Sequence, residues 1–158
     1  MGKIGQTENL SSFEDDWVSF HYLPYSEEDE KLGMVCTTAG SQNIAPDTVY
    51  PPFKEGHPAP FRPVAEGRKL PEYQIIYITE GEGVFSAAGK DWNVPQGSML
   101  LVLPGLEHAY KPKKETGWQE YWAGFIRELF QQTCQRGLFV GRQAFFQHRP
   151  FRLPYVDI

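Results

Sequence analysis

Four side chains in the middle of the chain carry the chemistry a small polar molecule would meet: Gln74, His108, Tyr110 and Trp122. An amide, an imidazole and a phenol exchange hydrogen bonds with hydroxyl groups, and an indole stacks on the C–H face of a sugar ring. Strand parity groups them. In the stretch 73–79, residues 74, 76 and 78 share one face, so Gln74 ends a wall made by Ile76 and Ile78. An amide on an apolar wall needs partners. His108 shares a face with Tyr110, Trp122 with Glu120 and Gly124, and Trp92 with Val94. Pointed inward, these faces would line a cavity suited to a polyol or sugar. The alternative for Trp92 and Trp122 is plain core packing, and for His108 a hydrogen-bonded core histidine.

Other chemistries fit poorly. The chain has no GxSxG elbow, no phosphate-cradling GxxxxGK[ST] and no HExxH. Its histidines (21, 57, 108 and 148) are scattered singly, so no two form a local metal clamp. The acidic pairs Asp15-Asp16 and 27–30 fall in polar runs and read as solvated surface. Cys36 and Cys134 lie far apart with no CxxC spacing, which reads as two buried free thiols, with a single disulfide as the alternative.

The elements that must hold these side chains read as short strands separated by turns. Thirteen prolines and fifteen glycines in 158 residues favour turns over long helices, and the length suits one domain. Strands are expected at 17–25, 34–38, 73–79, 84–87, 90–94, 98–103, 108–111 and 118–125. The Gly81-Glu82-Gly83 step reads as a tight hairpin turn. Turn signals every eight to twelve residues point to an all-β sandwich or barrel. The proline-punctuated stretch 45–63 cannot be central sheet and should run over the barrel or across its mouth. Residues 1–16 read as a flexible leader and 26–33 as a solvated turn. After the last strand, Ile126, Leu129, Phe130 and Cys134 recur at helical spacing, which predicts a short C-terminal helix over 126–136 stopped by Gly137.

Charge narrows the partners. The net charge is −5: residues 1–66 carry four Lys/Arg against eleven Asp/Glu, and 111–158 carry eight against four. An acidic chain without a basic cluster is a poor reader of DNA. No apolar run reaches the roughly 20 residues that span a bilayer, and no signal pattern opens the chain, so the expectation is a cytoplasmic protein with no membrane partner.

The wording YQIIYITEGEGVF, then PQGSMLLVLPGLEHAY, then GWQEYWAGF, preceded by GRKLPEYQ, resembles the effector-binding domain of AraC-type transcriptional regulators, over roughly residues 33–158. The resemblance implies a cupin or jelly-roll-like barrel with a short C-terminal helix. Metal-binding cupins typically carry HxH, a glutamate and a later histidine. Here the HxH region holds Arg68-Lys69-Leu70, the glutamate position holds Gln74, and of the set only His108 remains. Such a site binds a divalent metal badly, and Arg68 would repel one further.

The resemblance therefore implies a sensor domain over 17–158, not an enzyme, with no metal and no cofactor. Its ligand would be a small-molecule effector such as a sugar, held by Gln74, His108, Tyr110 and Trp122, with Trp92 and Arg68 as secondary contacts. DNA would be read by a helix-turn-helix part expected beyond Ile158. Whether the domain forms a homodimer stays open. Two rivals remain: a cupin enzyme (sugar isomerase or dioxygenase) with non-standard metal ligands, and a structural dimerisation module whose barrel is filled by its own aromatics.

Overall fold

The computed structural model describes residues 8–11, 16–52, 67–126 and 145–147. In chain order these form β1 (Glu8–Ser11), β2 (Trp17–Tyr22), α1 (Glu27–Glu30), β3 (Val35–Ile44), β4 (Tyr73–Gly81), β5 (Gly83–Ala87), β6 (Lys90–Val94), β7 (Ser98–Val102), β8 (His108–Pro112), β9 (Trp118–Ile126) and β10 (Phe145–Gln147). Two antiparallel sheets result, one ordered β1-β2-β3-β9-β4-β7-β10 and the other β6-β5-β8. The all-β expectation holds. The predicted helix over 126–136 lies outside the described residues, apart from Ile126, which ends β9.

Alternation along the strands builds the core between the sheets. On β4, Gln74, Ile76 and Ile78 are buried while Ile75 and Tyr77 are 36% and 37% exposed, the period of two read from the sequence. Ile44, Ile76, Ile78, Leu100, Val102 and Trp118 of the large sheet meet Phe85, Ala87 and Val94 of the small one. Each large apolar side chain removed from water here contributes roughly 1.5–3 kcal/mol.

Cys36, expected as a buried thiol, is exposed, and the backbone departs from the sequence reading in four places. First, β5 does not return beside β4. It pairs with β6 and β8, so Glu82 carries the chain from one sheet to the other. That corner is fixed by the Glu82 carbonyl, which accepts from the Lys113 backbone N–H (2.8 Å), and by the Lys113 ammonium on the Glu82 carboxylate (2.8 Å). Second, β3 runs on through Ala39–Ile44, a Gly-Ser-Gln-Asn run of low strand propensity. Hydrogen bonding to β2 on one side and β9 on the other outweighs that propensity. Third, within the stretch expected to be a flexible leader, Glu8–Ser11 pairs with β2. Fourth, the turn at 26–33 contains one helical turn, capped reciprocally by Ser26 and Asp29.

A buried carboxylate ties the segment before β4 to β3. Glu72, 3% exposed, accepts from the hydroxyls of Thr37 and Thr38 (3.0 Å for Thr38) and from the Gln74 amide (3.3 Å). A buried charge is tolerable only with such partners. Gly124 of β9 lies opposite both Thr38 and Gln74, and a Cβ there would collide with the Glu72 carboxylate and the Thr38 hydroxyl. Gly124→Ala is therefore expected to cost about 1–3 kcal/mol, read as a lower urea midpoint at unchanged denaturant slope. A neutral result would show that Glu72 can move aside freely.

Candidate functional site

Where the inner face of the large sheet turns polar, it forms one wall of a narrow cleft with a cavity volume of about 40 Å³. Phe20, His21 and Tyr22 come from β2, Thr38 and Gln42 from β3, Gln74 from β4, and Glu120 and Trp122 from β9. Tyr110 of β8 stands across from them, and Tyr50 and Arg68 enter from connecting segments.

Arg68 is held from two directions. Its backbone exchanges two hydrogen bonds with His108 (2.8 and 3.1 Å), while its guanidinium donates to the Tyr110 hydroxyl (3.1 Å) and lies 5.6 Å from that ring's centre. Burial pushes the Tyr110 and Tyr50 phenols above the usual tyrosine range and Tyr22 up to about 12, so all three stay protonated and able to donate.

Glu120 is the most exacting group in the cleft. It is 1% exposed, and its Oε1 accepts from the Gln42 amide directly opposite (2.6 Å). Its Oε2 has no hydrogen-bond partner among the described residues. Burial pushes its pKa up to about 7, against the opposing pull of the Gln42 hydrogen bond and the Arg68 charge. Beside it, Trp122 lies against the bare backbone of Gly40, its register partner, where any Cβ would strike the indole.

The structure brings Gln74, Tyr110, Trp122 and Arg68 together in this cleft. His108 and Trp92 are not among its lining residues. His108 is 1% exposed and stacked between Phe85 and Tyr110, with ring centres 6.1 and 6.3 Å away. Its Nδ1 lies 2.9 Å from the Leu106 carbonyl and must donate to it, which leaves Nε2 a buried acceptor without a partner among the described residues. Burial holds its pKa below the usual histidine range, so the ring is neutral. Trp92 packs on Phe85 (6.0 Å) against the core. Among the described residues, no three His, Cys, Asp or Glu side chains are grouped as metal ligands.

Sequence reasoning missed Glu120 and Gln42 as site groups. The signal for Glu120 was its shared face with Trp122. Gln42 had none, because its segment did not read as strand.

The raised Glu120 pKa makes stability pH-dependent with a definite sign. Folded Glu120 holds a proton that the unfolded chain releases between pH 4.5 and about 7. Its contribution is thus fully present below about 4.5 and lost as pH rises to about 7. Glu120→Gln should flatten that slope, a difference on the order of 3 kcal/mol by the usual conversion, measured as urea midpoints across this range. Parallel profiles for the two proteins would refute the assignment.

Comparison with known proteins bears on this geometry. Residues 65–154 match the family described as the AraC-like ligand binding domain. A 47-residue stretch is 40% identical to the lactose operon transcription activator of Staphylococcus xylosus, covering 30% of this chain and 17% of that protein. An 87-residue stretch is 25% identical to the raffinose operon transcriptional regulatory protein RafR of Pediococcus pentosaceus, covering 54% and 31%. The chain thus spans under a third of the length of these relatives. Among solved structures, a cupin-like protein of Thermotoga maritima aligns with a TM-score of 0.44 at 15% identity, over 78% of this chain and 80% of that one. The 7S globulin of Momordica charantia gives 0.47 at 9%, over 76% and 34%. With more than half of its length matched by the family model, the chain belongs to the AraC-like ligand-binding domain family.

Proposed function

We propose that this chain is the effector-sensing part of a cytoplasmic transcription regulator, that its cleft binds a sugar or related polyhydroxyl molecule, and that it catalyses no reaction. The observation that carries the reading is the composition of the cleft. A buried carboxylate with one unpartnered oxygen, an arginine, an amide and three protonated phenols surround an indole face. Sugars present alternating hydroxyl donors and acceptors over a C–H face that stacks on such a ring. Relatives that regulate lactose and raffinose operons support the same ligand class.

DNA would be read by another part of a longer protein. Tyr50 and Arg68 bring ligand contacts from the two ends of the proline-rich connection, so a ligand that binds one arrangement more tightly shifts the population toward it. The rival, a metal-dependent enzyme on this fold, is disfavoured: it would need ligands where this chain has Arg68 and Gln74.

Calorimetry and thermal shift against lactose, raffinose, galactose and glucose test the reading, with Zn²⁺ and Fe²⁺ as a separate arm. At least one sugar should bind stoichiometrically and raise the melting temperature. Protection by metal with no sugar response would transfer the case to the enzyme. The two tryptophans should separate cleanly. Trp122→Ala is expected to weaken sugar binding at least about tenfold, or 1.4 kcal/mol, while Trp92→Ala lowers stability by about 2 kcal/mol or more and leaves affinity within about twofold.

A further inference from the structure

We propose that Asp16, which lies outside the cleft, is a positioning residue that fixes Tyr50 in the cleft wall and so sets the affinity for the ligand. The proposal rests on the sensor reading above and adds a residue that never touches the ligand.

β3 ends in the core at Ile44, yet the chain must soon place Tyr50 in the cleft. Residues 45–50 belong to no strand, so no ladder fixes their course. A turn does. The Thr48 backbone N–H donates to the Ala45 carbonyl (3.3 Å), and that of Asp47 donates to the Lys114 carbonyl (2.7 Å). Asp47 sits in the left-handed region at φ 65°, where a residue other than glycine is held by its surroundings.

Asp16 grips this turn from the other side. Read from the sequence as solvated surface, it is instead 4% exposed. Its Oδ1 accepts from the Ala45 N–H (2.6 Å), and the Thr48 hydroxyl donates to the same carboxylate (2.9 Å to Oδ2, 3.2 Å to Oδ1). Charge-assisted hydrogen bonds of this kind are strong when buried. The Lys114–Asp47 ion pair on the turn is 3.6 Å long between exposed side chains and contributes little. Asp16 thus holds the chain two residues before Tyr50. The Tyr50 ring packs on the core, with its phenol in electrostatic reach of Tyr110, Glu120 and Arg68. With the turn released, a ligand has to order Tyr50 as it binds, and affinity falls.

Two comparisons separate positioning from charge and from bulk stability. Asparagine keeps the shape: its carbonyl accepts from the Ala45 N–H and its amide donates to the Thr48 hydroxyl oxygen. Asp16 also acts on the ligand only through Tyr50, so its effect should vanish where Tyr50 is absent.

The test is calorimetric titration of the native protein and its variants with lactose, raffinose, galactose and glucose, at a temperature where each variant is folded. A sugar that binds the native protein should bind Asp16→Ala about tenfold or more weakly, and Asp16→Asn within about threefold of the native value. In a Tyr50→Ala background, Asp16→Ala should cost less than about twofold. Without ligand, the ring NMR signals assigned to Tyr50 by their loss in Tyr50→Phe should move in Asp16→Ala, while those of Trp92 stay. Thr48→Val, which removes one donor to Asp16, should move the same ring and weaken the same sugar, and it decides if Asp16→Ala does not fold. Unchanged affinity in a folded Asp16→Ala overturns the positioning and leaves the sensor reading standing. So does an equal loss with and without Tyr50, or Asp16→Asn as weak as Asp16→Ala. If none of the four sugars binds, the sugar reading falls and the Tyr50 ring decides alone: unmoved in Asp16→Ala and Thr48→Val, it overturns the positioning as well.

Discussion

The antiparallel register of β3, β9 and β4 sets every pairing at the centre of the cleft. It puts Gln42 opposite Glu120, Gly40 opposite Trp122, and Gly124 between Thr38 and Gln74. Each partner answers a physical need of the residue it faces. Buried Glu120 requires a donor and meets an amide. Trp122 requires room and meets a backbone without a side chain. Because side chains alternate with period two, a slip of one residue would turn Glu120 outward and drive Gln119 into the interior. The same register keeps Ile44 beside Trp118 in the core, so apolar burial and polar pairing specify one alignment.

Two of the buried carboxyl groups, Glu72 at the edge of the large sheet and Glu120 within it, reach different solutions to the same desolvation cost. Glu72 has both oxygens engaged by Thr37, Thr38 and Gln74. Its hydrogen bonds serve the fold, joining the bulged start of β3 to the approach of β4. Glu120 has one oxygen engaged and one left open, and its proton affinity rises accordingly. An incompletely satisfied carboxylate is destabilising on its own. That is the cost borne by a site that keeps an acceptor ready for something from outside.

Much of this was legible in the sequence where one period dominated. Gln74, Ile76 and Ile78 alternate strictly, and the inward face of β4 follows from that alone. The shared face of Trp118, Glu120, Trp122 and Gly124 was equally plain. Three features were not. The length of β3 depends on neighbours distant in sequence, because Gly40-Ser41-Gln42-Asn43 has no intrinsic preference for a strand. The crossing of β5 to the second sheet depends on Lys113 reaching the Glu82 carbonyl, a contact between residues 31 positions apart. Strand parity and the cupin resemblance both put His108 among the expected ligand groups, and neither gives its depth. Its parity with Tyr110 was correct, yet both lie on one face at different depths, and Tyr110 occupies the position nearer the cleft.

That difference in depth is built into each strand. On β4 the inward side chains run Ile78, Ile76, Gln74, and on β9 they run Trp118, Glu120, Trp122. On β3 they run Ile44, Gln42, Gly40, Thr38. Two residues along a strand, about 7 Å, separate a core position from a cleft position. Apart from Tyr50 and Arg68, the groups that would meet a ligand therefore sit on strands already fixed by Ile44, Ile76, Ile78 and Trp118. Ordering costs paid during folding are not paid again by a ligand. The coupling also runs the other way. A ligand hydroxyl on Glu120 would act on a residue whose strand neighbour Trp118 is core.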